Sequence, residues 1–155
     1  MISIDQILDR HCTRASVSAG SRKRLLHFAS DLLAEQYPEL SARNLFDELT
    51  ARERLGSTGL GEGVAIPHCR MACDRIIGAC ISLEQPVDFD AIDKQPVDLL
   101  FVIVVPQDET SSHLELLAAL ARLFGEQSNR AALRNAGTDN QLYEQMAGLF
   151  RSLAA

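Results

Sequence analysis

Apolar residues recur at helical spacing through most of the first fifty positions, and a serine precedes each segment in which they do so. Because serine is favoured at the N-cap of a helix, we predict a short helix after Ser3, a second over Ser21 to Gln36 and a third after Ser41. Pro38 ends the second helix, since proline cannot continue it. The first third of the chain is therefore predicted to be mainly helical, with one short strand over residues 12–18.

The middle of the chain holds two apolar runs without helical spacing, IIGACISL at residues 76–83 and LLFVIVV at residues 99–105. Both are rich in β-branched residues, a composition typical of strands buried on both faces. The polar segment between them is predicted to be a solvated connection, and a shorter strand is predicted at residues 64–66. Ahead of that strand, residues 56–63 contain four glycines in eight positions and favour neither helix nor strand.

The last third returns to helical spacing and carries two capping signatures. Ser112 and Glu115 match the S-x-x-E capping box, which predicts a helix with His113 as its first internal residue. Thr138 and Gln141 repeat the signature ahead of a final helix. Helices that precede, separate and follow buried strands predict an α/β fold in which a central mixed β-sheet is sandwiched between α-helices.

Composition argues against several classes of function. The 155 residues fit a single domain over residues 1–155, and the net charge of −6 with a pI of about 5.1 weighs against nucleic-acid binding. Residues 1–10 lack the basic start and apolar run of an export signal, and the apolar stretch at residues 99–106 is too short for membrane insertion. We therefore expect a cytoplasmic protein. Its four cysteines indicate no disulfide framework.

The segment most informative about chemistry is ARERLGSTGLGEGVAIPHC, residues 51–69. Pro67 has a restricted backbone angle and holds Ile66 extended, so His68 is expected to project from a strand end in a defined direction. The glycines before it allow the backbone to approach a ligand closely, and exposed amides there can bind an anion. The pattern therefore favours a site for an anionic group beside this histidine.

A histidine in that position suits phosphoryl transfer. Imidazole, with a pKa of about 6.5, offers a nucleophilic nitrogen at neutral pH, and the transferring group needs fixed cations and donors around its oxygens. Arg52 is the first candidate cation, ahead of Arg54. Ser57 and Thr58 are candidate hydroxyl donors that would support phosphate binding. His113 is expected at a helix start, where free amides and the helix dipole also favour an anion.

The run LGEGVAIPH resembles the phosphorylation-site motif of the mannitol/fructose class of enzyme IIA domains of the bacterial phosphotransferase system. The longer match, from ARERLGSTGLGEGVAIPH to FDAID and QPVDLLF, is similar to the nitrogen-regulatory branch and covers nearly the whole chain. The resemblance implies that His68 accepts the phosphoryl group, that His113 is the second active-site histidine and that Arg52 is the nearby basic residue. It also implies a sheet between helices. Cys69 departs from the pattern, since many relatives carry glycine there.

The same resemblance implies a partner and a role. A histidine-phosphorylated, HPr-like carrier of the nitrogen branch would be the donor, and the phosphorylation state would control nitrogen- and potassium-related targets such as sensor kinases or potassium transporters. The protein would be an enzyme in the loose sense of a phosphotransferase-type carrier, without a cofactor. Two alternatives stay open: a sugar-specific IIA component whose IIB and IIC partners are separate chains, and a docking module in which phosphorylation is vestigial.

Other binding motifs are not supported. No Lys-Ser/Thr pair follows the glycine-rich run, which argues against a P-loop, and no long helix opens there as a dinucleotide site requires. Cys69 and Cys73 lack the usual zinc spacing and a second ligand pair. The aspartates between positions 88 and 98 lack the terminal glutamate of an EF-hand loop. No metal site is therefore expected, and His11 and His27 are interpreted as structural residues.

Overall fold

The two central apolar runs pair with each other in the computed structural model, which describes residues 2–109 and 111–153. In chain order its helices and strands are α1 (Ile4–Ile7), β1 (Leu8–Val17), α2 (Arg22–Gln36), α3 (Ala42–Leu55), β2 (Gly59–Gly61), β3 (Val64–Ala65), β4 (His68–Met71), β5 (Ile77–Val87), β6 (Val97–Pro106), α4 (Ser112–Gly125), α5 (Gln127–Asn135) and α6 (Asp139–Ser152).

Within those residues the strands form one six-stranded sheet of order β1-β5-β6-β3-β2, with β4 also paired to β6. β5 and β6 are antiparallel, as are β2 and β3, whereas β1 runs parallel to β5 and both β3 and β4 run parallel to β6. The sheet is therefore mixed. The predicted α/β class, with a central mixed sheet between helices, is confirmed.

Both faces of β6 are buried, as its composition predicted. Side chains alternate along a strand, so Leu100, Val102 and Val104 enter one apolar cluster while their neighbours enter another. The first cluster is completed by α2 and α3, and the second by α1, α4, α5 and α6. The sheet thus lies between two helical layers, each with its own core.

Three of the predicted caps form side-chain hydrogen bonds, whereas Ser3 precedes α1 without one and the capping box at α4 is wrong. The hydroxyls of Ser21 and Ser41 accept from backbone amides three residues on, both at 3.2 Å. The hydroxyl of Thr138 accepts from the Gln141 amide at 3.1 Å. At α4, however, the N-cap is Ser111, without a side-chain cap.

The predicted capping box of Ser112 with Glu115 is therefore not formed, because Ser112 is already the first residue of α4. Its amide donates to the carboxylate of Glu109 at 2.9 Å, which supplies the cap from outside the helix. His113 is consequently the second residue of the helix rather than the first.

Several strands differ in extent from the prediction. β1 begins at Leu8, so the first helix is only one turn long and the strand replaces its expected last residue. β5 extends to Val87, into the segment expected to be a solvated connection. α5 and β4 were not predicted, because both are short and mostly polar. The glycine-rich run was expected to contain no strand, yet Gly59–Gly61 forms β2.

The short hairpin of β2 and β3 explains why glycine is needed there. Gly61 pairs with Val64, and the two residues between them have positive φ angles, 58° for Glu62 and 81° for Gly63. Positive φ at both central positions is typical of a type I′ turn, which matches the twist of a hairpin. Arg134 secures the turn, since its guanidinium donates to the carbonyl of Glu62 at 2.7 Å and to the carboxylate of Asp98 at 2.8 Å.

We expect Gly63→Ala to destabilise the fold by about 1–3 kcal/mol, because φ there is positive and the added Cβ would lie 2.4 Å from the Arg134 guanidinium. Gly148→Ala is the control, since Gly148 is exposed within α6 and its added Cβ would meet nothing within 4 Å. The free energy of unfolding of the control should rise by about 0.4–1 kcal/mol. Denaturant unfolding measures both, and equal free energies for the two variants would contradict this account of the turn.

Candidate functional site

His68 is the first residue of β4 and lies directly opposite Ile103 of β6. β3 and β4 run along the same edge of β6 and are interrupted at Ile66 and Pro67. Proline has no N–H to donate, but its carbonyl accepts from the Ile103 amide at 2.9 Å. The Ile66 amide instead donates to the Thr58 carbonyl at 3.0 Å. The two residues before the histidine are therefore held in place by backbone hydrogen bonds.

The ring of His68 is oriented by its own strand. Its Nδ1 lies 2.8 Å from the carbonyl oxygen of Ile66. A carbonyl can only accept, so Nδ1 carries the hydrogen and the neutral ring has its lone pair on Nε2. The half-buried imidazole thus presents a single nucleophilic nitrogen.

The surroundings keep this ring uncharged at neutral pH. Burial is the main cause that lowers the pKa of His68 below its ordinary value, and the nearby Arg52 and His113 lower it further. The hydrogen bond to Ile66 and the carboxylate of Glu53 act in the opposite direction without reversing the shift. An uncharged imidazole is the form whose lone pair can attack an electrophile.

His68 opens into a cavity of about 470 Å³. The cavity brings together four nitrogen-bearing side chains, two histidines and two arginines, with apolar and acidic neighbours. Its lining consists of Glu48, Ala51, Arg52, Leu55, His68, Cys69, Arg70, Val105 and His113. The three residues that we predicted from sequence as the core of the site, His68, His113 and Arg52, therefore lie around one space, where cations and donors can surround an anion.

Arg52 is placed by the end of α3. Its Nη1 donates to the carbonyl of Gly56 at 2.8 Å, which bends the side chain back over the C-terminus of its own helix. A cation there is also favourable for the helix dipole. Arg54, our second choice as a cation, is exposed and is not among the residues that line the cavity.

Ser57 and Thr58 are not among the lining residues of the cavity, and their hydroxyls bond elsewhere. The Ser57 hydroxyl donates to the Phe89 carbonyl at 2.6 Å and accepts from the Gly59 amide at 3.1 Å. The Thr58 hydroxyl donates to the carboxylate of the buried Glu53. The structure therefore does not bring these two hydroxyls to His68.

Glu53 anchors the loop that follows α3. Its carboxylate also accepts from the Thr58 amide at 3.3 Å and lies 3.6 Å from the guanidinium of Arg22. Arg22 in turn donates to the Phe89 carbonyl at 3.1 Å, the same oxygen that Ser57 uses. A buried carboxylate is tolerated because it is paired and hydrogen-bonded in this way. The network ties α2, α3 and the glycine-rich loop together.

Arg70 is a cavity residue that sequence reasoning missed. Side chains two apart in a strand share a face, so Arg70 of β4 lies on the same side as His68. The sequence already places Arg70 two positions after His68, but this spacing puts both side chains on one face only if residues 68–71 form a strand. Cys69, between the two, belongs to the apolar cluster on the α2 and α3 side.

Burial raises the pKa of the Cys69 thiol to about 12, so the thiol stays protonated at neutral pH. All four cysteines are free.

In the described part of the chain, no three His, Cys, Asp or Glu side chains converge to hold a metal ion. Within residues 2–109 and 111–153, no helix has the length and apolar character needed to span a bilayer.

Comparison with known proteins identifies the class. Residues 6–148 match the family described as "Phosphoenolpyruvate-dependent sugar phosphotransferase system, EIIA 2". The chain belongs to this family of enzyme IIA phosphotransfer carriers. Within the family it belongs to the nitrogen-regulatory branch, as the relatives described next indicate.

The chain is 47% identical over 145 residues to the nitrogen regulatory protein of Pseudomonas aeruginosa, covering 93% of this chain and 94% of that protein. It is 41% identical over 145 residues to the nitrogen regulatory protein of Escherichia coli, covering 92% and 88% of the two chains. The crystal structure of nitrogen regulatory protein IIA-Ntr from Neisseria meningitidis superposes with a TM-score of 0.87 at 40% identity, covering 95% of this chain and 98% of that one.

We expect Arg52→Gln to raise the pKa of His68, because the variant removes a nearby cation that disfavours the protonated ring. Titration of the His68 ring by NMR measures this directly. Arg151→Gln is the matched control, since Arg151 pairs with Asp5 and is not a lining residue of the cavity. An unchanged or lowered pKa in the Arg52 variant would show that its charge does not reach the ring.

Thr58→Val should lower the free energy of unfolding by about 1–3 kcal/mol, because it leaves a buried acceptor on Glu53 without its donor. The control is Thr50→Val on α3, where the buried hydroxyl has no hydrogen-bond partner among the described residues. Thr50→Val should leave the free energy of unfolding unchanged or raise it slightly. Chemical denaturation compares the two variants, and a larger loss at Thr50 would refute the structural role given to Thr58.

Proposed function

We propose that this protein is a cytoplasmic regulatory phosphocarrier that accepts a phosphoryl group on Nε2 of His68 from a histidine-phosphorylated, HPr-like donor of the nitrogen branch. The observation that carries the proposal is the hydrogen bond from Nδ1 of His68 to the Ile66 carbonyl, which leaves Nε2 as the nucleophile in the cavity. The nitrogen-regulatory relatives support the same role.

The transfer step follows from that tautomer. The Nε2 lone pair attacks the phosphorus of the donor's phosphohistidine, a new P–N bond forms, and the donor's P–N bond breaks with its electron pair returning to the donor imidazole. Positive charge develops on the accepting ring. The Ile66 carbonyl stabilises that charge through the hydrogen on Nδ1.

The phosphoryl oxygens need donors and positive charge as they approach. Arg52 and His113 are proposed to supply them, since both line the cavity and both act electrostatically on His68. Ser57 and Thr58 are proposed to support phosphate binding indirectly, by holding the glycine-rich loop, because their hydroxyls are already bonded to Phe89 and Glu53.

Exposed apolar side chains beside the cavity support a protein donor rather than a small molecule. Leu55 ends α3 at the cavity and is 85% exposed, and Leu114, next to His113, is 60% exposed. Exposed apolar groups of this size favour docking of another protein surface. We further propose that phosphorylation controls binding to regulatory targets such as sensor kinases or potassium transporters, because it adds nearly two negative charges to this surface.

Incubation with phosphoenolpyruvate and the donor proteins should add one phosphoryl group to the wild-type protein, detected by intact mass and lost in acid. His68→Ala should gain none, because it lacks the nucleophile. His113→Ala should still be phosphorylated at His68, but about 10–100-fold more slowly, since it loses a polar side chain that lines the cavity and acts electrostatically on His68. Phosphorylation of His68→Ala to the wild-type level would end the proposal.

The two alternatives give different results in the same system. A sugar-specific component would pass its phosphoryl group to a IIB domain at a rate comparable to its own phosphorylation, whereas the regulatory carrier should not. For a docking module, partner affinity would be equal before and after phosphorylation. The regulatory role predicts unequal affinities.

A further inference from the structure

Arg70 makes an unusual set of contacts for an exposed strand residue. One guanidinium nitrogen, Nη1, lies 3.1 Å from the carbonyl of Pro106, 3.3 Å from that of Gln107 and 2.5 Å from that of Glu109. The other terminal nitrogen, Nη2, lies 3.4 Å from Nε2 of His113. A single side chain of β4 therefore contacts both the end of β6 with the residues that follow it and the start of α4.

The contacted backbone determines where α4 begins. Glu109, whose carbonyl accepts from Arg70, uses its carboxylate to accept from the Ser112 amide at 2.9 Å. That interaction provides the cap of α4, because Ser111 supplies no side-chain cap. Holding the Glu109 backbone thus also holds the first turn of the helix, and His113 is its second residue.

The contact with His113 also selects its tautomer. A guanidinium has donors and no acceptor, so Nε2 of His113 must accept and Nδ1 must carry the hydrogen. Nδ1 is buried and has no hydrogen-bond partner among the described residues. A buried donor without an acceptor is unfavourable, so this tautomer depends on the contact that Arg70 makes with Nε2.

We propose that Arg70 is a positioning residue that acts through His113: it fixes the placement and the tautomer of this ring relative to His68. The inference rests on the proposed phosphoryl transfer to His68. The competing explanation is that Arg70 contacts the phosphoryl group directly, since it also lines the cavity. The two explanations differ in whether the effect of Arg70 depends on the presence of His113.

The first test uses the unphosphorylated protein. In ¹⁵N-labelled wild-type protein, the ring nitrogens of His113 should show hydrogen on Nδ1 and an acceptor at Nε2. Arg70→Met keeps the chain length but removes every donor, so it should convert His113 to a mixture of tautomers. An unchanged tautomer in Arg70→Met would overturn the proposal without bearing on whether His68 is phosphorylated.

The second test is a double-mutant cycle on the rate of phosphoryl acceptance. Arg70→Met should slow acceptance about tenfold, the scale of a lost hydrogen bond to a charged group, and Arg151→Met should leave it unchanged. The variant with both Arg70→Met and His113→Ala should be no slower than His113→Ala alone. Multiplying effects, or a His113→Ala variant as fast as wild type, would show that Arg70 does not act through His113.

Arg70→Lys separates charge from geometry. Lysine keeps the positive charge, but its ammonium is a point donor and cannot span the backbone carbonyls and the ring as a planar fork does. We expect the rate of phosphoryl acceptance in Arg70→Lys to stay within about threefold of the rate in Arg70→Met, because lysine does not restore the lost set of hydrogen bonds. A wild-type rate of phosphoryl acceptance in Arg70→Lys would overturn the proposal.

If the wild-type protein accepted no phosphoryl group at His68, the proposed function would fail, while the tautomer measurement would still decide the Arg70 contact.

Discussion

The hydrogen bond from Nδ1 of His68 to the carbonyl of Ile66 is the interaction on which the site depends. It selects which ring nitrogen carries the lone pair, and it sets the direction in which that lone pair points. Because donor and acceptor are only two residues apart, the bond needs the intervening Pro67 to hold the backbone in one conformation. A flexible residue at position 67 would not hold this hydrogen bond, and the solvent would then determine which ring nitrogen carries the hydrogen.

That local geometry is useful only because β6 supports it from one side. β6 is buried on both faces and accommodates two short parallel strands, β3 and β4, along one edge. The break between them contains Pro67, which has no amide to donate but whose carbonyl still accepts from the Ile103 amide. A strand buried on both faces thus supports the polar side chains of β4, since a rigid sheet limits the movement of side chains that project from its edge.

Buried polar groups hold the loop that follows α3. Glu53 is almost fully buried, yet it is paired with Arg22 and hydrogen-bonded to Thr58, and the Phe89 carbonyl joins Ser57 to the same network. Such groups are costly to bury unless every partner is present. The network therefore specifies one arrangement of the glycine-rich loop, and with it the end of α3 from which Arg52 reaches the cavity.

The fold class, most of the helices and the two buried strands could be predicted from the sequence, because hydrophobic spacing and serine or threonine caps are local signals. The sequence also singled out Pro67-His68. Only the folded chain shows that Ser57 and Thr58 bond away from the cavity, that Glu109 caps α4, and that Arg70 contacts His113, 43 residues along the chain. The contact between Arg70 and His113 follows from strand pairing between β4 and β6, and the register of non-local strands is not encoded in any single stretch of residues.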